Sequence, residues 1–110
     1  MTVGAALTAT NGNADVQAGA AASIDGAVTA GLDATIAAQT NATVNGTIDA
    51  GANVTVTATT GAVDIGGSVT AGADVTIESG TSTEISGAAT ATTGSITVDA
   101  GTSFLATGSL

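Results

Sequence analysis

The sequence predicts an all-β protein, a parallel β-helix (β-solenoid) of about five coils, each of roughly 19–22 residues with three short strands. Three observations favour this fold. A glycine followed by a β-type run recurs at nearly constant spacing, β-branched residues alternate with polar ones, and no apolar stripe has helical spacing. Because 110 residues suffice for one domain and not comfortably for two, residues 1–110 are interpreted as a single solenoid domain.

The repeat is marked by a series of five glycines whose spacing grows by one position at each step along the chain. A period of roughly 20 residues is the size of one solenoid coil, whereas propeller blades and helical repeats are longer. The coils are therefore predicted to start near Gly12, Gly31, Gly51, Gly72 and Gly94.

Each coil divides into three runs that alternate apolar and polar residues. The first runs are Ala34–Ile36, Val54–Val56, Val75–Ile77 and Ile96–Val98. The second runs centre on Ile24, Val44, Val63 with Ile65, and Ile85. The third runs centre on Val28, Ile48, Val69 and Ala89. Alternation with a period of two indicates half-buried strands, and the glycines between the runs supply turns. Each strand is expected to pair with its counterpart in the next coil, in a right-handed winding.

Two other fold classes fit this sequence less well. A helical bundle is disfavoured because β-branched residues are plentiful and glycine recurs every few residues. An immunoglobulin-like sandwich would need hairpin turns and a few large core residues, and the sequence supplies neither.

The composition argues against several classes of function. The chain has no Lys, Arg, His or Cys, and nine acidic residues give it a net charge of −9. Without basic residues, nucleic-acid binding has no electrostatic basis, and no run is long enough for a membrane helix. Without His or Cys, a Ser nucleophile lacks its usual base. Glu78 and Glu84 lack the aromatic or basic platform that a sugar substrate needs. We therefore expect no enzyme activity, no catalytic residues and no cofactor other than calcium.

Stacked coils place like residues in columns on the surface, and one column consists of threonines. High β-propensity and cross-strand hydrogen bonding explain such a column. An ice-binding face is the alternative, but it would need a second Thr two residues further on, where Ala37, Thr57, Glu78 and Asp99 stand. The predicted threonine column is Thr35, Thr55, Thr76 and Thr97.

A second predicted column, formed by Asp33, Asn53 and Asp74, supplies oxygen ligands of the kind that Ca²⁺ prefers. The same residue types are also ordinary turn formers, because their side chains bond nearby backbone groups. Calcium is therefore the only cofactor hypothesis that the sequence offers. A third column is expected at Asp25, Asn45, Asp64 and Ser86.

The ends of the stack are predicted to expose strand edges, since neither a capping helix nor a charged end strand is visible in the sequence. Exposed edges promote further pairing unless they are capped. Near the C-terminus stand Phe104 and Leu105, the only bulky apolar pair in the chain. We interpret these two residues as an end-to-end assembly site for copies of the chain itself or for neighbouring coils of a longer polypeptide.

The repeats resemble those of two families. The segment GAVDIGGSVTAGADVTIESG, residues 61–80, resembles the coils of filamentous-haemagglutinin-like exoproteins, which are secreted β-helical adhesins. This resemblance implies a shaft segment of an extracellular or cell-surface fibre. Residues 24–30 and 44–50 resemble the Val-x-Gly-x-Ile-x-Ala repeats of bactofilins, which imply a polymerising cytoplasmic filament. The absence of Lys and Arg favours the extracellular alternative, and neither resemblance names a receptor.

Overall fold

Three parallel β-sheets wind around one axis in the computed structural model, which describes residues 2–4, 6–106 and 108. This confirms the predicted all-β solenoid of about five coils with three strands in each coil. Residues 1 and 110, the bounds of the predicted domain, lie outside the described residues. The strands are β1 (Thr2–Val3), β2 (Leu7–Ala9), β3 (Ala14–Ala18), β4 (Ala22–Ile24), β5 (Val28–Ala30), β6 (Ala34–Ala38), β7 (Ala42–Val44), β8 (Ile48–Ala50), β9 (Val54–Ala58), β10 (Val63–Ile65), β11 (Val69–Ala71), β12 (Val75–Ser79), β13 (Ser82–Ile85), β14 (Ala89–Ala91), β15 (Ile96–Ala100) and β16 (Ser103–Ala106).

The three sheets each take one strand from every coil. Sheet A contains β1, β4, β7, β10, β13 and β16, and it has one strand more than the others. Sheet B contains β2, β5, β8, β11 and β14. Sheet C contains β3, β6, β9, β12 and β15, which are all five residues long. The described part of the chain contains no helix that is long and apolar enough to cross a membrane.

The strand register repeats with nearly the same period from coil to coil. Val54, for example, pairs with Ala34 in the coil before it and with Val75 in the coil after it. The first and last spacings of the glycine series depart from this period for a simple reason. Gly12 and Gly94 lie one position later in their coils than Gly31, Gly51 and Gly72 do.

The core lies between the three sheets and consists of the inward residues of every strand. Ile, Val and Ala alternate there with outward polar residues, so the period of two seen in the sequence becomes one buried and one exposed face. Among the residues whose burial the structure describes, the polar exception is Thr83, which is 1% exposed. Its hydroxyl lies 2.8 Å from the Ser79 hydroxyl, so its burial leaves no hydrogen-bonding group unpaired.

Hydrogen bonds run along the solenoid axis at the corners as well as in the sheets. The Gly51 N–H donates to the Ala30 carbonyl at 3.0 Å, and the Gly72 N–H donates to the Ala50 carbonyl at 3.0 Å. The corners therefore satisfy their backbone groups from coil to coil, as the strands do. Stacking of complete coils, rather than of isolated strands, holds the fold together.

Candidate functional site

The predicted threonine column lies on the outer face of sheet C. Thr55 pairs in register with Thr35 and Thr76, and Thr97 continues the column beyond Thr76. Asp15 occupies the same position in the first coil. The neighbouring outward column is mixed, and β9 is the strand of this sheet that carries Thr in both columns. That neighbouring column is Gln17, Ala37, Thr57, Glu78 and Asp99.

A second threonine column lies on sheet B and was missed in the sequence analysis. Its residues stand at the middle of the three-residue strands, between two inward apolar residues. The Val-Thr-Ala runs at 28–30 and 69–71 indicate this column, but the sequence analysis used only their apolar residues. The column is Thr8, Thr29, Asp49, Thr70 and Thr90.

The column that contains the calcium candidates connects successive coils. The Oδ1 atom of Asp33 accepts the Asn53 N–H at 3.0 Å, and the Oδ1 atom of Asn53 accepts the Asp74 N–H at 3.1 Å. Asn13 and Ser95 extend the same pattern, since the Asp33 N–H donates to Asn13 and the Ser95 N–H donates to Asp74. These side-chain oxygens therefore complete the backbone hydrogen bonding of the next coil, which is the role of a turn residue.

The third predicted column is wrong in one member. Asp64 pairs with Thr43 and Glu84, so it lies on the outer face of sheet A. Gly66, two positions after Asp64, lies beside Asn45 instead, since the offset between coils is 20 positions from Ile24 to Val44 and 21 from Val44 to Ile65. The contact between Asn45 and Asp25 does form: the Asn45 Nδ2 donates to the Asp25 Oδ1 at 3.1 Å.

Calcium is expected to leave the stability of this protein unchanged. The carboxylate and amide oxygens at Asp33, Asn53 and Asp74 already accept backbone N–H groups. Among the described residues, no group of three or more Asp or Glu side chains converges. A ligand that binds only the folded state raises its melting temperature. We expect equal melting temperatures with chelator and with millimolar Ca²⁺, measured by circular dichroism. A rise that titrates with Ca²⁺, and not with Mg²⁺, would contradict this prediction.

The two glutamates lie on different sheets. Glu78 is exposed in β12 and pairs in register with Asp99 in β15. Glu84 is exposed in β13 and pairs with Asp64 in β10. Both lie in strands. Each therefore has a carboxylate as its neighbour in the next or preceding coil.

The C-terminal end of the solenoid exposes its apolar interior. The edge strands there are β14, β15 and β16. Phe104 pairs with the buried Thr83, so it belongs to an inward column, yet it is 38% exposed because no coil covers it in the structure. Ile96 and Val98 are half-buried beside it. Leu105 pairs with Glu84 and lies on the outer face, where it is 53% exposed. Together β14, β15 and β16 form what we call the C-terminal end face.

The opposite end presents residues of different size in β2 and β3. Its edge strands are β1, β2 and β3, which we call the N-terminal end face. Leu7 in β2 is half-buried, whereas Ala14 in β3 is 4% exposed. Each end face presents one open backbone edge from each of the three sheets. The two ends thus have matching strand directions and different side chains.

Comparison with known proteins gives no relative for this chain. No protein-family model matches it, and no curated protein or solved structure matches it significantly. Function must therefore be inferred from the geometry of the solenoid itself.

Proposed function

We propose that this protein is a non-catalytic structural solenoid unit that stacks end to end within an extracellular fibre or adhesin shaft. The observation that carries the proposal is the pair of open end faces. Each end face presents three strand edges at once, and the C-terminal one also exposes Phe104, Ile96 and Val98. Unpaired edges beside apolar surface form a template for another coil.

The mechanism of such a unit is mechanical. Backbone hydrogen bonds run along the axis in all three sheets and at the corners, so tension along the axis is distributed over many parallel bonds. The nine carboxylates stand without any basic residue, and their mutual repulsion opposes side-by-side aggregation. End contacts that bury apolar surface then remain the favoured route of association.

Phe104→Arg is expected to abolish or strongly weaken end-to-end assembly. The substitution places a charge in an inward column that the next coil would cover, directly beside the uncharged, buried Thr83. Electron microscopy with light scattering on the same sample measures particle length. We expect the concentration needed for assembly to rise about tenfold or more, since each 1.4 kcal/mol corresponds to a factor of ten.

Leu32→Arg is the matched control for this experiment. Leu32 is 51% exposed, so it resembles the end residues in exposure, but it lies at a corner between β5 and β6 on the flank of the solenoid. We expect this variant to assemble like the unmodified chain. Equal particle lengths for Phe104→Arg and Leu32→Arg, or a monomeric unmodified chain at every concentration, would overturn the proposal.

A polymerising cytoplasmic filament would use the same end faces, so assembly alone does not distinguish it from an extracellular fibre. The absence of Lys and Arg, which are common in cytoplasmic proteins, supports the extracellular alternative. Fractionation of cells that express the native gene tests the location. Recovery of the chain from the cell surface or the medium is expected, and recovery from the cytoplasm alone would favour the filament alternative.

A further inference from the structure

Side-chain size changes systematically along the solenoid axis. From the N-terminal to the C-terminal end, one inward column of sheet A and one of sheet C change from small to large residues, although not at every step. One inward column of sheet B changes in the opposite sense, from Leu at the N-terminal end to Ala at the C-terminal end. The sheet A column is Ala22, Ala42, Val63, Thr83 and Phe104. The sheet C column is Ala14, Ala34, Val54, Val75 and Ile96. The sheet B column is Leu7, Val28, Ile48, Val69 and Ala89.

These gradients make the two ends complementary. If a second copy continues the stack, its Ala22 and Ala14 would lie over Phe104 and Ile96 of the first. Its Leu7 would lie over Ala89, which lines an open depression with Ile96, Val98 and Phe104. A small residue thus meets a large one in each sheet, which allows the two end faces to pack closely.

The number of strands adds a constraint to this stacking. Sheet A has six strands, whereas sheets B and C have five each. When β2 and β3 of a second copy lie directly on β14 and β15 of the first, β1 of the second copy and β16 of the first would occupy the same place. One of these two strands must leave sheet A.

We propose that copies of this chain join by strand exchange, in which β16 of one copy replaces β1 of the next and pairs with its β4. This inference rests on the proposed end-to-end function and specifies its contact. β1 is the strand expected to yield, since it is two residues long and pairs with β4 through Thr2 and Val3, whereas β16 has four residues. In the exchange, β16 of one copy pairs with every residue of β4 of the next, and Phe104 lies over Ala22 of that next copy.

Disulfide trapping tests the register, since the chain has no native cysteine. Strand exchange pairs Leu105 with Ser23 of the next copy, the residue that Thr2 pairs with in the single copy. Within one copy Leu105 and Ser23 are four coils apart, about 19 Å at strand spacing, which is too far for a disulfide. We expect Ser23→Cys with Leu105→Cys to give covalent multimers in a glutathione redox buffer. Leu105→Cys alone should give dimers at most.

Thr2→Cys with Leu105→Cys is the discriminating control. If copies stack without exchange, β1 lies on β16 and Thr2 pairs with Leu105. Two results would overturn strand exchange and leave end-to-end stacking intact. One is the formation of multimers by the Thr2→Cys, Leu105→Cys pair. The other is assembly of the unmodified chain when Ser23→Cys and Leu105→Cys do not cross-link. Absence of both cross-links in a chain that stays monomeric would overturn the proposed function as well. Circular dichroism of each variant verifies that the solenoid is folded.

Discussion

Gly51→Ala is expected to lower the free energy of unfolding by about 2–3 kcal/mol, although it adds one methyl group only. A Cβ atom at Gly51 would collide with the backbone carbonyl of Gly31 in the preceding coil. That carbonyl belongs to a rigid corner, and the Gly51 N–H is itself bonded to Ala30, so relief requires the coils to separate. None of the described glycines has a positive φ. The requirement for glycine is therefore one of space between stacked backbones.

Gly12→Ala is the matched control for the effect of Gly51→Ala. Gly12 lies at the corresponding corner of the first coil, one position later, and a Cβ atom there would meet nothing within 4 Å. We expect no loss of stability, or a gain of about 0.4–1 kcal/mol from the reduced freedom of the unfolded chain. Urea denaturation of dilute protein measures both variants. Equal stabilities for Gly51→Ala and Gly12→Ala would show that the coils tolerate a methyl group between them.

The fold could be predicted from the sequence because a solenoid converts a one-dimensional repeat directly into a stack. Val54-Thr55-Val56 and Val75-Thr76-Ile77 have the same pattern in successive coils, and they lie side by side in sheet C. Alternation with a period of two then determines which residues face inward. These two signals are local, so no long-range information was needed to place the strands.

The register at individual positions was harder to predict, because successive coils differ in length by a single position. A shift of that size moves a strand residue to the opposite face or out of its column. Asp64 was assigned to the column of Asp25 and Asn45 by its residue type, whereas the register places Gly66, two positions later, in that column. Thr83 was missed as a core residue because a polar residue type by itself indicates an outward position. Its burial is possible because its hydroxyl contacts the Ser79 hydroxyl.

The end faces show the same limit of sequence reasoning. Phe104 and Leu105 stood out as a bulky pair, but their different orientations, inward and outward, follow from the pairing of β16 with β13. The size gradient that opposes Phe104 to Ala22 becomes visible only when residues are sorted by column. The sequence thus gives the type of each residue, whereas its partner in the next coil can be identified only when the strand register is known.

Ile65→Asp is expected to unfold the protein at 25 °C and neutral pH. Ile65 is fully buried in the central coil, between Val44 and Ile85 in its column. A carboxylate there would have no cation to pair with, because the chain has no Lys, Arg or His. An unpaired buried charge costs several kcal/mol or more, which is a large part of the stability of a domain of this size. Far-ultraviolet circular dichroism would show loss of the β-sheet signal.

Two controls separate burial of charge from other effects of the Ile65→Asp substitution. Thr55→Asp places a carboxylate on the outer face of the same coil, between Thr35 and Thr76, and should change stability by less than about 1 kcal/mol. Ile65→Asn has nearly the same shape as Ile65→Asp without the charge. Burial raises the pKa of the introduced carboxyl, so the folded state binds the proton more tightly than the unfolded state does. Acidification should therefore restore stability to Ile65→Asp more than to Ile65→Asn. Equal responses of these two variants to pH would show that the introduced carboxyl reaches solvent, which would contradict a closed core at Ile65.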